Sequence, residues 1–288
     1  MPIQGKTRIA IGLVAAIVTA GYLVIESGAP MVTAGAEEPA KTVRNTGSPA
    51  GPGFLVDFTK RQDRDTYYPS DHNMDEEWIK IVFKTSNIDF SKDGMTLSLL
   101  KTLGGKFPIS GAEFQRTGTY GYGRYEAVLT AADGHGAIAS FFTYTGDHFG
   151  DPHDEIDFEF VAMRPRDVHL NYFKNGENTP LYVPLWFDTT QADHLYAFEW
   201  APDSIRWYVD GVKVHEVRAS DGAKIPSASG RVILNIWAGA GSATSWTGEP
   251  RFTVTEAKYR CMSHVPAGKR GPQCSDIFKA PPKPLASN

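Results

Sequence analysis

The stretch HDEIDFEF, from His153 to Phe160, leaves the backbone little choice. Glu155, Asp157 and Glu159 alternate with Ile156, Phe158 and Phe160. Only a strand, with its period of two, puts all three acids on one face and all three apolar side chains on the other. The apolar face calls for a core; the acidic face must look into water or into a cleft. A solvated outer face is the plainest reading, but adjacent same-face acids repel one another and that arrangement is costly without a purpose. A calcium site would use the carboxylates as hard-cation ligands, although an EF-hand-like loop needs Gly and Asn within the run. The third reading is glycosidic bond cleavage, which needs two carboxylates flanking the scissile bond. On that reading Asp157, a like charge between the glutamates, is expected to help keep a neighbouring Glu protonated. Cα atoms four residues apart on a strand lie roughly 13 Å apart, whereas the carboxyls of a retaining pair lie about 5–5.5 Å apart. The two Glu side chains must therefore lean together over Asp157, and spacing does not decide between retention and inversion.

The surrounding sequence is built the same way. MTLSLL alternates after the turn pair Asp93-Gly94, and GRYEAVLTA, AIASFFTYT, DVHLNYFKN, HLYAFEWA, SIRWYVDGVKVHEV and RVILNIWAG follow, each β-branched or aromatic and bounded by turn formers. Asp210-Gly211 is a two-residue hairpin signal. Long helical periodicity is absent. So many antiparallel strands in a chain of 288 residues predict an all-β sandwich or barrel of the jelly-roll kind. The net charge of -4 comes without a concentrated Lys/Arg surface, which argues against a nucleic-acid partner.

The ends differ in character. Lys6 and Arg8 precede an uncharged apolar run over residues 9–25, and Ala34-Gly35-Ala36 supplies small residues for cleavage. Residues 1–36 are expected to be a cleaved signal peptide, making the protein periplasmic or extracellular; an uncleaved membrane anchor is the alternative. Residues 37–53 read as a linker, 54–265 as a single catalytic domain and 266–288 as a tail rich in Pro and Gly. Cys261 and Cys274 would close a short disulfide loop in an oxidising compartment, with two free thiols as the alternative.

DEIDFEF resembles the signature of glycoside hydrolase family sixteen, which includes bacterial lichenases, laminarinases, succinoglycan-cleaving enzymes and plant xyloglucan endotransglycosylases. The resemblance runs from about Gly111 to Tyr259, through GYGRYEA, SFFTYTG, HDEIDFEF, HLNYFKNG, YAFEW, WYVDG and NIWAG in the family's order. It implies a β-jelly roll of two antiparallel sheets with a concave cleft and a retaining mechanism. Glu155 would be the nucleophile, Glu159 the general acid and then base, and Asp157 the assisting acid. One residue between each pair of acids looks like the lichenase and xyloglucan branch; typical laminarinases carry an extra residue before the last Glu.

The same resemblance implies sugar contacts at Glu113, Phe142, Tyr144, Asn171, Asn235, Trp237 and Trp246. His169 and Phe173 stand where lichenases have Gln and Tyr, and His169 is read as a cleft residue. His153 stands where lichenases carry a Trp platform, as in the plant branch. Gln115 replaces the lichenase Arg. No cofactor is required; a structural calcium stays open, because the position of its usual Asp falls near Thr255. The expected activity is that of an exported, monomeric endo-β-glucanase acting on β-1,3/β-1,4-linked glucan or a related polysaccharide. A transglycosylase with the same residues, or a lectin-like polysaccharide binder on the same sandwich, are the alternatives.

Overall fold

The computed structural model describes residues 51–283, apart from residues 63, 103 and 105. The expected signal peptide and most of the expected linker lie outside the described residues. In chain order the strands are β1 (Phe54–Asp57), β2 (Tyr67–Pro69), β3 (Asn73–Glu76), β4 (Ile79–Phe83), β5 (Ile88–Ser91), β6 (Gly94–Lys101), β7 (Ile109–Arg116), β8 (Gly123–Thr130) and β9 (Ala137–Thr145). They continue with β10 (Asp154–Val161), β11 (Asp167–Lys174), β12 (Glu177–Asn178), β13 (Leu181–Pro184), β14 (His194–Ala201), β15 (Ser204–Val209), β16 (Val212–Arg218), β17 (Arg231–Ala238) and β18 (Val254–Pro266). Two one-turn helices, α1 (Thr244–Thr247) and α2 (Cys274–Ile277), complete the ordered elements discussed below.

The strands form two antiparallel layers. One runs β2–β7–β17–β9–β10–β11–β13. The other runs β5–β6–β18–β8–β14–β15–β16, with β1 also on β18. Strand β7 belongs to both, and β4 lies parallel to its first residues. At that crossing the backbone of Gly111 passes so close to β17 that a Cβ there would sit 2.4 Å from the Ile236 carbonyl oxygen. Asp210 and Gly211, with φ of 50° and 78°, make the left-handed two-residue turn between β15 and β16 that the sequence predicts.

The apolar face of β10 fills the space between the layers. Ile156 and Phe158 are fully buried. The Phe158 ring lies 6.3 Å from Phe141 of β9 and 5.6 Å from Tyr196 of β14, and Phe160 lies 4.5 Å from Tyr196. Each such ring contributes roughly 1.5–3 kcal/mol by leaving water. This core fixes the register of β10, and because side chains alternate, it also fixes which face the acids occupy.

Strand β18 is an addition to what the sequence suggests. Its first half alternates exposed and buried positions, with Thr255, Ala257 and Tyr259 turned inward. After a register shift between Tyr259 and Cys261, its second half is almost continuously buried. The tail is fastened to the outside of this second layer. Cys261 and Cys274 form a disulfide. The backbone N–H of Ser275 donates to Glu126 Oε2 at 2.8 Å, and Arg124 Nε donates to Glu126 Oε1 at 2.7 Å. Farther on, Lys283 Nζ sits 4.7 Å from the centre of the Trp186 ring. Among the described residues no helix is long and apolar enough to cross a membrane.

Candidate active site

The open face of the first layer carries three rungs, each made of directly opposed residues on neighbouring strands. The first is polar and runs Glu113, Asn235, Ser140, Glu159, His169, Tyr182. The second runs Gln115, Ile233, Phe142, Asp157, Asn171. The third runs Arg231, Tyr144, Glu155, Phe173, Asn178. The three acids thus stack along β10 at the middle of the sheet, and neighbouring strands spread ligand-sized polar and aromatic groups to either side.

All three acids are buried. Glu155 is 6%, Asp157 3% and Glu159 6% exposed, which excludes the solvated outer face. Each glutamate has its own histidine. His153 Nε2 lies 2.5 Å from Glu155 Oε2, and His169 Nδ1 lies 2.6 Å from Glu159 Oε2. His153 is held flat against Phe173, with ring centres 4.2 Å apart, so the position expected to replace a stacking platform serves the carboxylate instead. Burial raises the Glu155 carboxyl above its ordinary range; His153 and a hydrogen bond with Asp157 oppose the shift, while the Glu159 charge adds to it. Burial pushes Asp157 up much further, and the charges of Glu155 and Glu159 push it in the same direction. Burial and the two neighbouring carboxylates thus favour the protonated form of Asp157, and its hydrogen bond with Glu155 favours the Glu155 carboxylate.

The remaining expected contacts fall on the same face with differing roles. Glu113 accepts from Ser70 Oγ at 2.6 Å and from Gln115 Nε2 at 2.8 Å, and Asn235 Nδ2 approaches it at 3.4 Å. Gln115 is thus occupied in orienting Glu113. Arg116 points the other way, donating to the Thr66 carbonyl at 2.7 Å, and does not replace the arginine of the resembled pattern. Asn171 accepts from the Thr179 backbone N–H at 3.1 Å beside Asp157. The Tyr144 hydroxyl is pushed upward by burial and by Glu155.

Trp237 lies on this face but is only 3% exposed, clasped edge-on by Trp78 and Trp246 at 6.1 and 5.9 Å. The half-buried rings of Trp78 and Trp246 are the ones open to a ligand. Trp78, Tyr182, Ser140 and Ser70 belong to the site without having been singled out in the sequence. Counting back by two from Phe142 finds Ser140, but nothing local marks Trp78, from the turn between β3 and β4, or Tyr182, from the edge strand β13.

Four buried polar atoms on or beside the rungs have no hydrogen-bond partner: Ser140 Oγ, Asn171 Nδ2, Asn178 Nδ2 and Asn235 Oδ1. Buried polar groups are normally paired. These are places where the hydroxyls of a sugar would complete the bonding. At the position discussed for calcium, the Thr255 hydroxyl donates to Asp133 Oδ1 at 3.2 Å and accepts from the Gly134 N–H at 3.0 Å.

Comparison with known proteins shows the family. The sequence profile of glycosyl hydrolases family 16 matches residues 75–257. A beta-glucanase of Acetivibrio thermocellus is 38% identical over 189 residues, covering 65% of this chain and 55% of that protein. A beta-glucanase of Paenibacillus polymyxa is 37% identical over 185 residues, 64% of this chain and 75% of its own length. Among solved structures, the Bacillus licheniformis beta-glucanase superposes with a TM-score of 0.69 at 33% identity, covering 76% of this chain and 99% of that one. A prokaryotic beta-1,3-1,4-glucanase (lichenase) derived from a mouse hindgut metagenome gives 0.70 at 32% identity, over 75% of this chain and 100% of that one.

Proposed function

The chain belongs to glycosyl hydrolases family 16, and on that footing we propose that it is an exported, retaining endo-β-glucanase cutting β-1,3/β-1,4-linked glucan. The observation that carries the reading is the buried acid trio of β10, with Asp157 between two histidine-held glutamates. Export rests on the charged, then apolar, N-terminal sequence.

In the proposed cycle the Glu155 carboxylate attacks the anomeric carbon while Glu159 gives its proton to the departing glycosidic oxygen. The bond to the leaving sugar breaks and a glycosyl ester on Glu155 forms. Glu159, now a carboxylate, takes a proton from water as that water attacks the same carbon and frees Glu155. Two inversions leave the β configuration unchanged. The Asp157 proton, bonded to Glu155, steadies the carboxylate as the ester bond breaks. No metal or cofactor is needed for any of these steps. Glu113, Asn235 and Ser140 on one side of β10, and Tyr182 and Trp246 on the other, would bind successive sugars.

The test is a panel of β-glucans and bacterial exopolysaccharides given to the purified mature chain, with linkage analysis and NMR of the first-formed anomer. Cleavage of mixed-linkage glucan to a β-anomer is expected. An α-anomer first, or no cleavage of any β-glucan, would overturn the proposal. A labelled oligosaccharide acceptor in the same assay separates hydrolysis from transfer, by whether longer labelled products form.

A further inference from the structure

The contact between His169 and Glu159 is more than a cleft wall requires. The imidazole Nδ1 lies 2.6 Å from Oε2, and the two side chains are only 4% and 8% exposed. The imidazole is also braced from outside. The Tyr182 ring lies 4.5 Å from it and inclined by 33°, and the Trp246 ring lies 5.5 Å away, inclined by 39°. Tyr182 is in turn held by the Arg164 guanidinium, 4.0 Å from its ring centre, and Arg164 is paired with Asp167 at 2.7 Å. The chain of contacts Arg164–Tyr182–His169–Glu159 fixes the plane of the imidazole and, through it, one oxygen of the carboxyl.

Resting on the reading of Glu159 as the acid, we infer that His169 is a positioning residue that selects which Glu159 oxygen delivers the proton. With hydrogen on Nδ1, the imidazole donates to Oε2. An oxygen already accepting an N–H is the worse place for a second hydrogen, so the acid proton resides on Oε1 and Oε2 stays an acceptor. Proton transfer needs the donor oxygen within hydrogen-bond reach of the leaving oxygen, and a misplacement of about 1 Å can cost about 100-fold. A sugar-contact role for His169 predicts something different: weaker binding of every substrate, whatever its leaving group.

Leaving-group dependence separates the two roles. His169→Ala and His169→Gln are compared with wild type on mixed-linkage glucan and on a β-glucan oligosaccharide carrying a dinitrophenyl leaving group, which needs no proton to depart. His169→Ala should lose about 10–100-fold in kcat/KM on the polymer and keep most of its activity on the dinitrophenyl substrate. His169→Gln, which still offers an N–H, should recover most of the polymer activity. An equal loss on both substrates, or a loss confined to KM, overturns the inference. So does a failure of Gln to improve on Ala when both variants melt like wild type.

Glu159→Ala, run alongside, guards the premise. It should show the same selective loss in stronger form. If it does and His169→Ala does not, the inference about His169 fails and the acid assignment stands. If Glu159→Ala loses both substrates equally, the acid assignment itself fails. Should His169→Ala unfold, His169→Asn, whose side chain is too short to hold Oε2 in place, takes its part with the same readings.

Discussion

Asp157 is fully committed by its surroundings. It lies on the face of β10 between Glu155 and Glu159, is 3% exposed, and has burial and both neighbours opposing its ionisation. A carboxyl raised in the folded state stabilises that state at pH below the ordinary carboxylate range, and the contribution is lost as pH rises through its folded-state value. Asp157→Asn removes the ionisation while keeping a hydrogen-bond donor toward Glu155. The variant should therefore melt higher than wild type, by a margin that widens as pH rises from the ordinary carboxylate range toward the raised folded-state value of Asp157, as thermal melts across pH would show. A margin that does not change with pH would mean that the buried charge is not what limits stability there. Its activity should fall as well, because the amide cannot follow the charge that develops on Glu155. The glutamates respond differently. Glu155→Gln and Glu159→Gln change little volume and add no buried charge, so both should fold while polymer cleavage drops by about 10²–10⁴-fold. Wild-type turnover in either would remove that glutamate from the mechanism.

What β10 does, it does because its neighbours are pinned at a fixed height, and Gly111 of β7 is one of the pins. Its φ is not in the left-handed region, so the reason for glycine there is space. A Cβ would meet the Ile236 carbonyl oxygen at 2.4 Å and Ile81 Cδ1 at 2.7 Å. Gly111→Ala must push β7 off β17 where the two layers join, and Glu113 stands two residues along on the same strand. Overpacking of this kind costs about 1–3 kcal/mol. Gly111→Ala should melt lower and also raise KM, since Glu113 and Asn235 lose their register; an unchanged KM would uncouple the crossing from the site. The contrast between strands shows what could be read from sequence. In β10 alternation and chemistry coincide, so the strand, its faces and its acids were all legible. In β18 the inward positions are Thr255, Ala257 and Tyr259 and, after the register shift, Met262, interleaved with Glu256, Lys258 and Arg260, while Cys261 faces the tail. Dense outward charge and a shift of register conceal the period. Likewise Tyr182 and Trp78 owe their place to strand order, which local sequence does not encode, and the reach of His153 for Glu155 depends on a side-chain direction at the mouth of the strand.

At the scale of the whole molecule, the cleft sheet rests on a second sheet, and the C-terminal tail is bound to the far side of that one. Cys274 is fully buried against Val128 and Leu195, Glu126 is fully buried beneath the Ser275 N–H, and none of these groups reaches the rungs around the acids. The tail should thus govern stability without touching chemistry. The disulfide joins residues separated by 13 positions, a loop for which the chain-entropy account gives about 3 kcal/mol. For a domain of this size each kcal/mol shifts the melting temperature by about 2–4 °C. Cys261→Ser combined with Cys274→Ser should accordingly lower Tm by about 6–12 °C, while kcat/KM on glucan, measured well below the transition, stays within about twofold of wild type. Reduction of the wild-type chain should reproduce the drop. A Tm that barely moves would mean that the Glu126 contacts hold the tail by themselves. A loss of kcat/KM at a temperature where both proteins are folded would mean that the outer sheet transmits strain through the shared core to β10, so that the two layers act as one elastic body.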